Sequence, residues 1–346
     1  MKRRSFLAGL GAVACTARAT DAQPDAVVER AEGFHAGMNL AHLHDVDRGY
    51  GSAPSREQMR TLRSLGVTHI ALTPFGYQKT VDAPEVVFGD LDRTLTDARL
   101  LAEMEHAAAE GLQVCLKPHI WCDAFWKGGK SRQDIEPPDW DRWFASYSAF
   151  ATHYGKLAQA GGATLFCAGL EYLQATRQKR WSEVAEAVRP VFGGQLTYAA
   201  NWWEEAEIFE DWKSFDTIGV NAYYPLSEDE DPSLEQLKEG WATHAATLKA
   251  LSKRHGKDVL FCEAGLRARR GAAAKPWESG WEGDEDNALQ ARAYEALLAT
   301  FTPQDWFAGV YWWKWFTDVV EPKRLDPYAP AGREAEAVLR RWWGVP

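Results

Sequence analysis

The sequence predicts an α/β chain folded as a single (β/α)8 barrel, and three observations predict it. From residue 33 onward, short apolar β-rich runs alternate with amphipathic helical stretches. The runs are continuously apolar rather than alternating, the pattern of strands covered on both faces. The lengthened loops 76–93, 121–138, 225–232 and 268–284 all follow predicted strands, which in a barrel is the face where sites are built. A chain of 346 residues accommodates this, because barrels of about 250 residues or more form one domain.

The first strand, 34–40, leads past Pro54 to a helix over 55–65, opened by the capping-box pattern Ser55-Arg56-Glu57-Gln58. Strand 67–73 precedes a helix over 96–110, where Leu100, Leu101, Met104 and Ala108 recur at helical spacing and Gly111 provides the stop. Strand 112–117 then feeds helix 139–160, and strand 163–168 feeds helix 179–191. Strands 195–200, 217–221 and 258–262 feed helices 204–212, 233–255 and 285–301. Strand 307–313 and helix 335–342 close the series. Alternating units of this kind make a parallel sheet.

Composition narrows the partners. The formal charge of −10 excludes a nucleic-acid partner, whose binding rests on dense Lys/Arg contacts to phosphate. It also favours a neutral over a polyanionic ligand. Seventeen Trp suggest aromatic platforms, since a fully buried indole needs a partner for its N–H; sugars, apolar on their C–H faces and polar at their rims, match such platforms. No run of 18 apolar residues follows the first 25 positions, so no integral membrane segment is expected.

Residues 1–22 read as an export signal, with a basic start, the Arg3-Arg4 pair of a twin-arginine-like signal and a short apolar run from Phe6 to Cys15. Cys15 also fits a lipid anchor. The expected location is periplasmic or extracellular, and 23–346 is one catalytic domain. Cys115, Cys167 and Cys262 fall in predicted strands as small core residues, and a Cys115–Cys122 bridge remains open. A monomer without cofactor or metal is expected.

Two acids follow buried runs directly. Glu171 comes after 163–168 and the pair Gly169-Leu170; Glu263 comes after Val259-Leu260-Phe261-Cys262. They end the fourth and seventh strands. An acid abutting a buried strand is costly unless it is paired or functional. Glycoside hydrolysis needs two such carboxyls flanking the scissile bond.

Several stretches together resemble glycoside hydrolase family 113. They are 143–150, His153-Tyr154, 165–171, 196–202, 218–226, 260–266, Leu116-Lys117-Pro118-His119 and 310–315. The resemblance implies a retaining β-mannanase-type enzyme of a (β/α)8 clan, with Glu171 as acid/base and Glu263 as nucleophile. It further implies that Tyr223 hydrogen-bonds the nucleophile, that Lys117, His119 and Asn201 face the glycone sugar, and that Trp313 and Trp315 form a stacking floor. Trp202 is expected to reach the cleft. The chain departs from the family at Leu170, where a small polar residue is usual, and at Asn221, where Asp is. The expected substrate is a neutral β-linked glycan, with β-1,4-mannan leading.

Two other readings use the same fold. A non-catalytic sugar-binding barrel would keep the Trp platforms without turnover. A metal-dependent amidohydrolase would use His42 and His44, which form a His-x-His near the first strand, with His119 and His153 in reserve.

Overall fold

The computed structural model describes residues 32–280, 282–320 and 326–344; the expected export signal and Cys15 lie outside them. Eight parallel strands close in chain order: β1 (His35–Ala41), β2 (His69–Leu72), β3 (Gln113–Leu116), β4 (Leu165–Leu170), β5 (Gln195–Asn201), β6 (Thr217–Asn221), β7 (Val259–Ala264) and β8 (Phe307–Phe316). Strand β8 pairs back onto β1 through His35↔Gly309 and Gly37↔Tyr311. Every residue of β4 and β7 is buried, as their unbroken apolar sequences require.

The helices that join and close the barrel are α1 (Ala53–Ser64), α2 (Asp97–Ala109), α3 (Trp140–Ala160), α4 (Trp181–Val188), α5 (Glu205–Ile208), α6 (Leu234–His255), α7 (Asn287–Phe301) and α8 (Glu334–Trp343), with short helical segments at Asp123–Lys127 and Leu173–Thr176 in the loops after β3 and β4. Most start where a short polar side chain takes up a free backbone N–H. Thr96, Asp139 and Asp286 accept from the third following N–H in α2, α3 and α7, and Ser233 with Gln236 forms a full capping box on α6. The cap of α1 is Ser52, not Ser55 as the sequence pattern suggested; with proline in the first turn, the helix begins earlier. The helix expected over 204–212 is one α turn followed by a 3-10 turn, Glu210–Ser214.

Two of the expected loops carry a small sheet of their own. Strand Phe75–Gln78 pairs antiparallel with Val86–Val87 and parallel with His119–Trp121. It fixes the segments following β2 and β3 at one side of the barrel mouth.

The tryptophan surplus is mostly structural. Trp143, Trp181, Trp212, Trp312 and Trp343 are fully buried. Beside β4, Trp143 stacks on Tyr147 with ring centroids 4.9 Å apart and Tyr172 stacks on Trp181 at 5.9 Å. The Tyr147 hydroxyl donates to Ala168 O (3.0 Å). This aromatic block immobilises the strand that ends at Glu171. The four cysteines of the described residues, Cys115, Cys122, Cys167 and Cys262, are buried and free, so Cys115 and Cys122 are not bridged.

Candidate active site

Glu171 and Glu263 emerge from β4 and β7 at the same end of the barrel. At β4 the register against β5 shifts between Cys167 and Leu170. Glu171 then adopts φ +55°, the left-handed region, which costs a non-glycine residue roughly 1–2 kcal/mol. The turn is held by Glu171 N donating to Ala199 O (3.0 Å) and Tyr172 N donating to the Tyr198 hydroxyl (3.0 Å). Strain of this kind persists only where surrounding structure enforces it, and it concentrates at functional positions.

The two carboxyls have opposite surroundings. Burial pushes the Glu171 carboxyl above its ordinary range, and the negative charge of Glu263 adds to that, while Arg132 and Lys117 oppose it. Arg132 Nη1 donates to Glu171 Oε2 (3.1 Å). Glu263 instead has both oxygens occupied: Lys117 Nζ donates to Oε1 (2.6 Å) and the Tyr223 hydroxyl donates to Oε2 (2.9 Å). Burial, reinforced by Glu263, holds the Tyr223 phenol well above its usual value, so it stays a donor.

Both carboxyls line one cleft of about 630 Å³ with Arg132, Asn201, Trp202, Trp203, Tyr223, Trp277, Trp313 and Tyr328. Trp202 and Trp277 stack on each other, with centroids 5.0 Å apart. Trp277 reaches the cleft from the loop after β7, anchored by Arg267 Nη1 donating to Gly280 O (3.1 Å) and by the Tyr328 hydroxyl donating to Glu278 O (2.7 Å) and to Pro276 O.

The structure thus brings together six of the residues singled out in the sequence: Glu171, Glu263, Asn201, Trp202, Tyr223 and Trp313. Three others are not among the residues that line the cleft. Lys117 and His119 are buried beside it, Lys117 against Glu263 and His119 against Arg132, whose Nη2 meets its Nδ1 at 3.0 Å. Trp315 lies on the outer face of the barrel, where its indole N–H donates to Gln58 of α1 (2.9 Å). The cause is a bulge: Met38 and Leu40 of β1 oppose Trp312 and Trp315, so one extra residue interrupts the alternation and turns Trp315 outward.

Arg132, Trp277 and Tyr328 escaped the sequence reading, because they stand on irregular segments without periodicity; Trp203, expected to pack rather than to reach the cleft, lines it beside Trp202. Leu170 is fully buried and absent from the cleft lining, whereas the side chain of Asn221, also fully buried, bears on the Glu171 carboxyl and counters its rise. The four histidines of the amidohydrolase reading have separate partners: His42 meets Thr94 and Tyr50 N, His44 meets Asp92, His119 meets Arg132 and His153 meets Asp97. Among the described residues, no group of three or more His, Cys, Asp or Glu could hold a metal ion, and no helix is long and apolar enough to cross a membrane.

The arrangement offers a carboxyl biased toward its neutral form opposite a carboxyl beside a buried ammonium, the environments that separate an acid from a charged partner. The family model described as Glycoside Hydrolase Family 113 matches residues 43–327. Among solved structures, a GH113 β-1,4-mannanase is 25% identical at a TM-score of 0.79, over 90% of this chain and 99% of that one. The GH113 β-mannanase AaManA from Alicyclobacillus acidocaldarius, solved in complex with ManMIm, is 28% identical at 0.78, over 90% and 97%. A β-glucuronidase of Ruminococcus gnavus, at 14% identity and a TM-score of 0.56 over 84% of this chain and 46% of that one, shares the fold. Comparison with curated protein sequences finds no match.

Proposed function

The chain belongs to glycoside hydrolase family 113, and from that premise we propose that it is a retaining hydrolase of β-linked glycans, with β-1,4-mannan as its substrate. The observation that carries the reading is the carboxyl pair on one cleft: Glu171 pushed toward its neutral form by burial, Glu263 held by Lys117 and Tyr223. In the first step Glu171 gives its proton to the glycosidic oxygen as the carboxylate of Glu263 attacks the anomeric carbon. The C–O bond to the leaving sugar breaks and a glycosyl ester forms on Glu263. In the second step Glu171, now ionised, takes a proton from water, whose oxygen displaces Glu263 with a second inversion. Loss of the Glu263 charge in the intermediate removes one influence that raises Glu171, which favours its role as base.

The substrate assignment rests on the mannanases among the structural relatives and on a cleft whose two acids are matched by two cations, Lys117 and Arg132, which suits a neutral sugar. The test is reducing-sugar release from a panel of β-mannan, glucomannan, xylan and β-glucan by the wild type, Glu171→Ala and Glu263→Ala. Both variants should lose at least about 10³-fold in kcat. Azide should rescue Glu263→Ala with an inverted glycosyl azide and Glu171→Ala with a retained one. Near wild-type rates in either variant would remove the assignment.

A further inference from the structure

Arg132 is a cation placed beside the group that must donate a proton, and its own support is visible. Its guanidinium reaches Glu171 Oε2 with one nitrogen (3.1 Å) and His119 Nδ1 with the other (3.0 Å). A guanidinium only donates, so Nδ1 must be an acceptor and the imidazole must be neutral with its proton on Nε2. The surroundings agree: burial, then the charges of Arg132 and Lys117, hold His119 well below its ordinary value. His119 is itself rigid, in register with Phe75 in the small side sheet and stacked parallel to Trp313. Arg132 sits on a 3-10 turn, Arg132–Asp134, closed by Ser131 N donating to Asp134 Oδ2 (2.7 Å).

We propose that His119 and Arg132 form a positioning unit in which the neutral imidazole orients the guanidinium and the guanidinium holds the Glu171 carboxyl toward the cleft. This rests on the reading of Glu171 as the proton-transferring group. It assigns His119 a task other than touching sugar: it is the acceptor that stops the guanidinium from turning away. The fixed cation also limits how far burial and Glu263 can raise Glu171. The other groups that act on Glu171 are Glu263 of β7, the Asn221 side chain at the end of β6, Lys117 from the segment after β3, Glu205 of α5 and Tyr223 after β6, and none of these is replaced by changing His119.

Four variants separate this from a purely structural role: Arg132→Met, Arg132→Lys, His119→Leu and His119→Asn. The asparagine oxygen falls near the position of Nδ1 and keeps an acceptor for Arg132. Two readouts need no turnover, the carboxyl titration of Glu171 by 13C NMR and the ring-nitrogen shifts of His119 by 15N NMR. The third is the alkaline limb of kcat/KM. Arg132→Met and His119→Leu should both move the Glu171 titration and the alkaline limb to higher pH and lower kcat about 10-fold or more. His119→Asn should return both toward wild type. Arg132→Lys, whose single ammonium cannot span both partners, should give an intermediate position and release the His119 tautomer. Should His119→Leu fail to fold, His119→Gln replaces it, since its oxygen falls at the Nε2 position and offers Arg132 no acceptor. An unmoved Glu171 titration in His119→Leu, or in His119→Gln where that variant replaces it, with Arg132→Met shifted, would overturn the unit. A shifted titration with an unshifted kcat/KM limb would leave the unit standing and sink Glu171 as the acid.

Discussion

Lys117 Nζ lies 2.6 Å from Glu263 Oε1, with the lysine side chain wholly buried and the carboxylate 7% exposed. Breaking a buried ion pair by removing one partner leaves an uncompensated charge and costs about 3–5 kcal/mol. Lys117→Met should therefore lower unfolding free energy by that order in a denaturant titration, besides abolishing activity. The double variant Lys117→Met/Glu263→Gln should recover more than half of the loss while remaining inactive. A double variant no more stable than the single one would mean that methionine fits this part of the barrel badly, and that the charge is not the cause.

Trp277 should matter more for holding substrate than for bond cleavage. The residue is 44% exposed, its ring stacks on Trp202, and with Ser279 it brings the loop after β7 into the cleft. Loss of one sugar-stacking surface is worth roughly 1–2 kcal/mol, or about 10-fold in binding. Trp277→Ala should raise KM on polymeric substrate by about 10-fold, with a smaller fall in kcat. Tyr328→Phe, which releases the carbonyls of Pro276 and Glu278, should reproduce part of that effect. A change confined to kcat would remove Trp277 from substrate binding.

The barrel and the two acids were legible for one reason. Buried parallel strands leave uninterrupted apolar runs, and a carboxylate at the end of such a run has few structural excuses. Glu171 and Glu263 stand out on that ground alone. Partners supplied by loops leave no such trace. Arg132 meets Glu171 across 39 positions of chain, and Trp277 enters through turns whose geometry depends on Arg267 and Tyr328. Lys117 and His119 were picked out only through the family resemblance, and which way they point follows from the small side sheet and from counter-charges. Trp315 was misread because a single-residue bulge cannot be seen in a run as uniformly aromatic as Tyr311-Trp312-Trp313-Lys314-Trp315-Phe316. The excess of tryptophan was read as ligand platforms, whereas most of the burial goes to packing helices on the barrel.

At the opposite end of the barrel, His35 and His69 predict an acid-sensitive fold. Their rings stack with centroids 4.0 Å apart, His35 Nδ1 meets the Tyr311 hydroxyl at 2.9 Å, and His69 Nδ1 meets Thr68 Oγ1 at 2.7 Å. Burial lowers His35 from 6.5 to about 4 and His69 to about 3, the latter with help from His35. Because both are lower in the folded state, the unfolded chain takes up protons first as pH falls below 6.5. Their contribution is complete above that pH and is lost progressively down to about 4 and about 3. The slope of unfolding free energy between pH 6.5 and 4 should be shallower in His69→Asn than in the wild type. Equal slopes would mean that the rings are protonated in the fold.

Glu205 works with the opposite sign in an overlapping window, so its variant must be compared with the wild type at each pH. It is fully buried; Oε1 accepts from the Tyr198 hydroxyl (2.6 Å) and Thr176 Oγ1 (2.7 Å), and Oε2 accepts from Asn201 N (2.8 Å). It therefore pins the end of β5, where Asn201 meets the cleft. Burial raises it from 4.5 to about 7 against these hydrogen bonds, with Glu171 adding to the rise. The folded state thus keeps a proton that the unfolded state has released, and stability present below pH 4.5 is lost as pH rises to about 7, by about 3 kcal/mol at most. The protonated form can be satisfied by reversing one hydrogen bond, with Oε1 donating to Tyr198 and Oε2 still accepting from Asn201 N. A glutamine with its NH2 at the Oε1 position keeps the donation to Tyr198 and the acceptance from Asn201 N at every pH, provided the Thr176 hydroxyl turns to accept from the same NH2. Glu205→Gln should therefore match the wild type near pH 4.5, exceed it increasingly toward pH 7 in unfolding free energy, and retain a folded cleft with measurable turnover. A stability difference that stays constant from pH 4.5 to 7 would mean that Glu205 is an ordinary carboxylate held by its three donors, and that β5 is fixed through a charge rather than through a neutral acid.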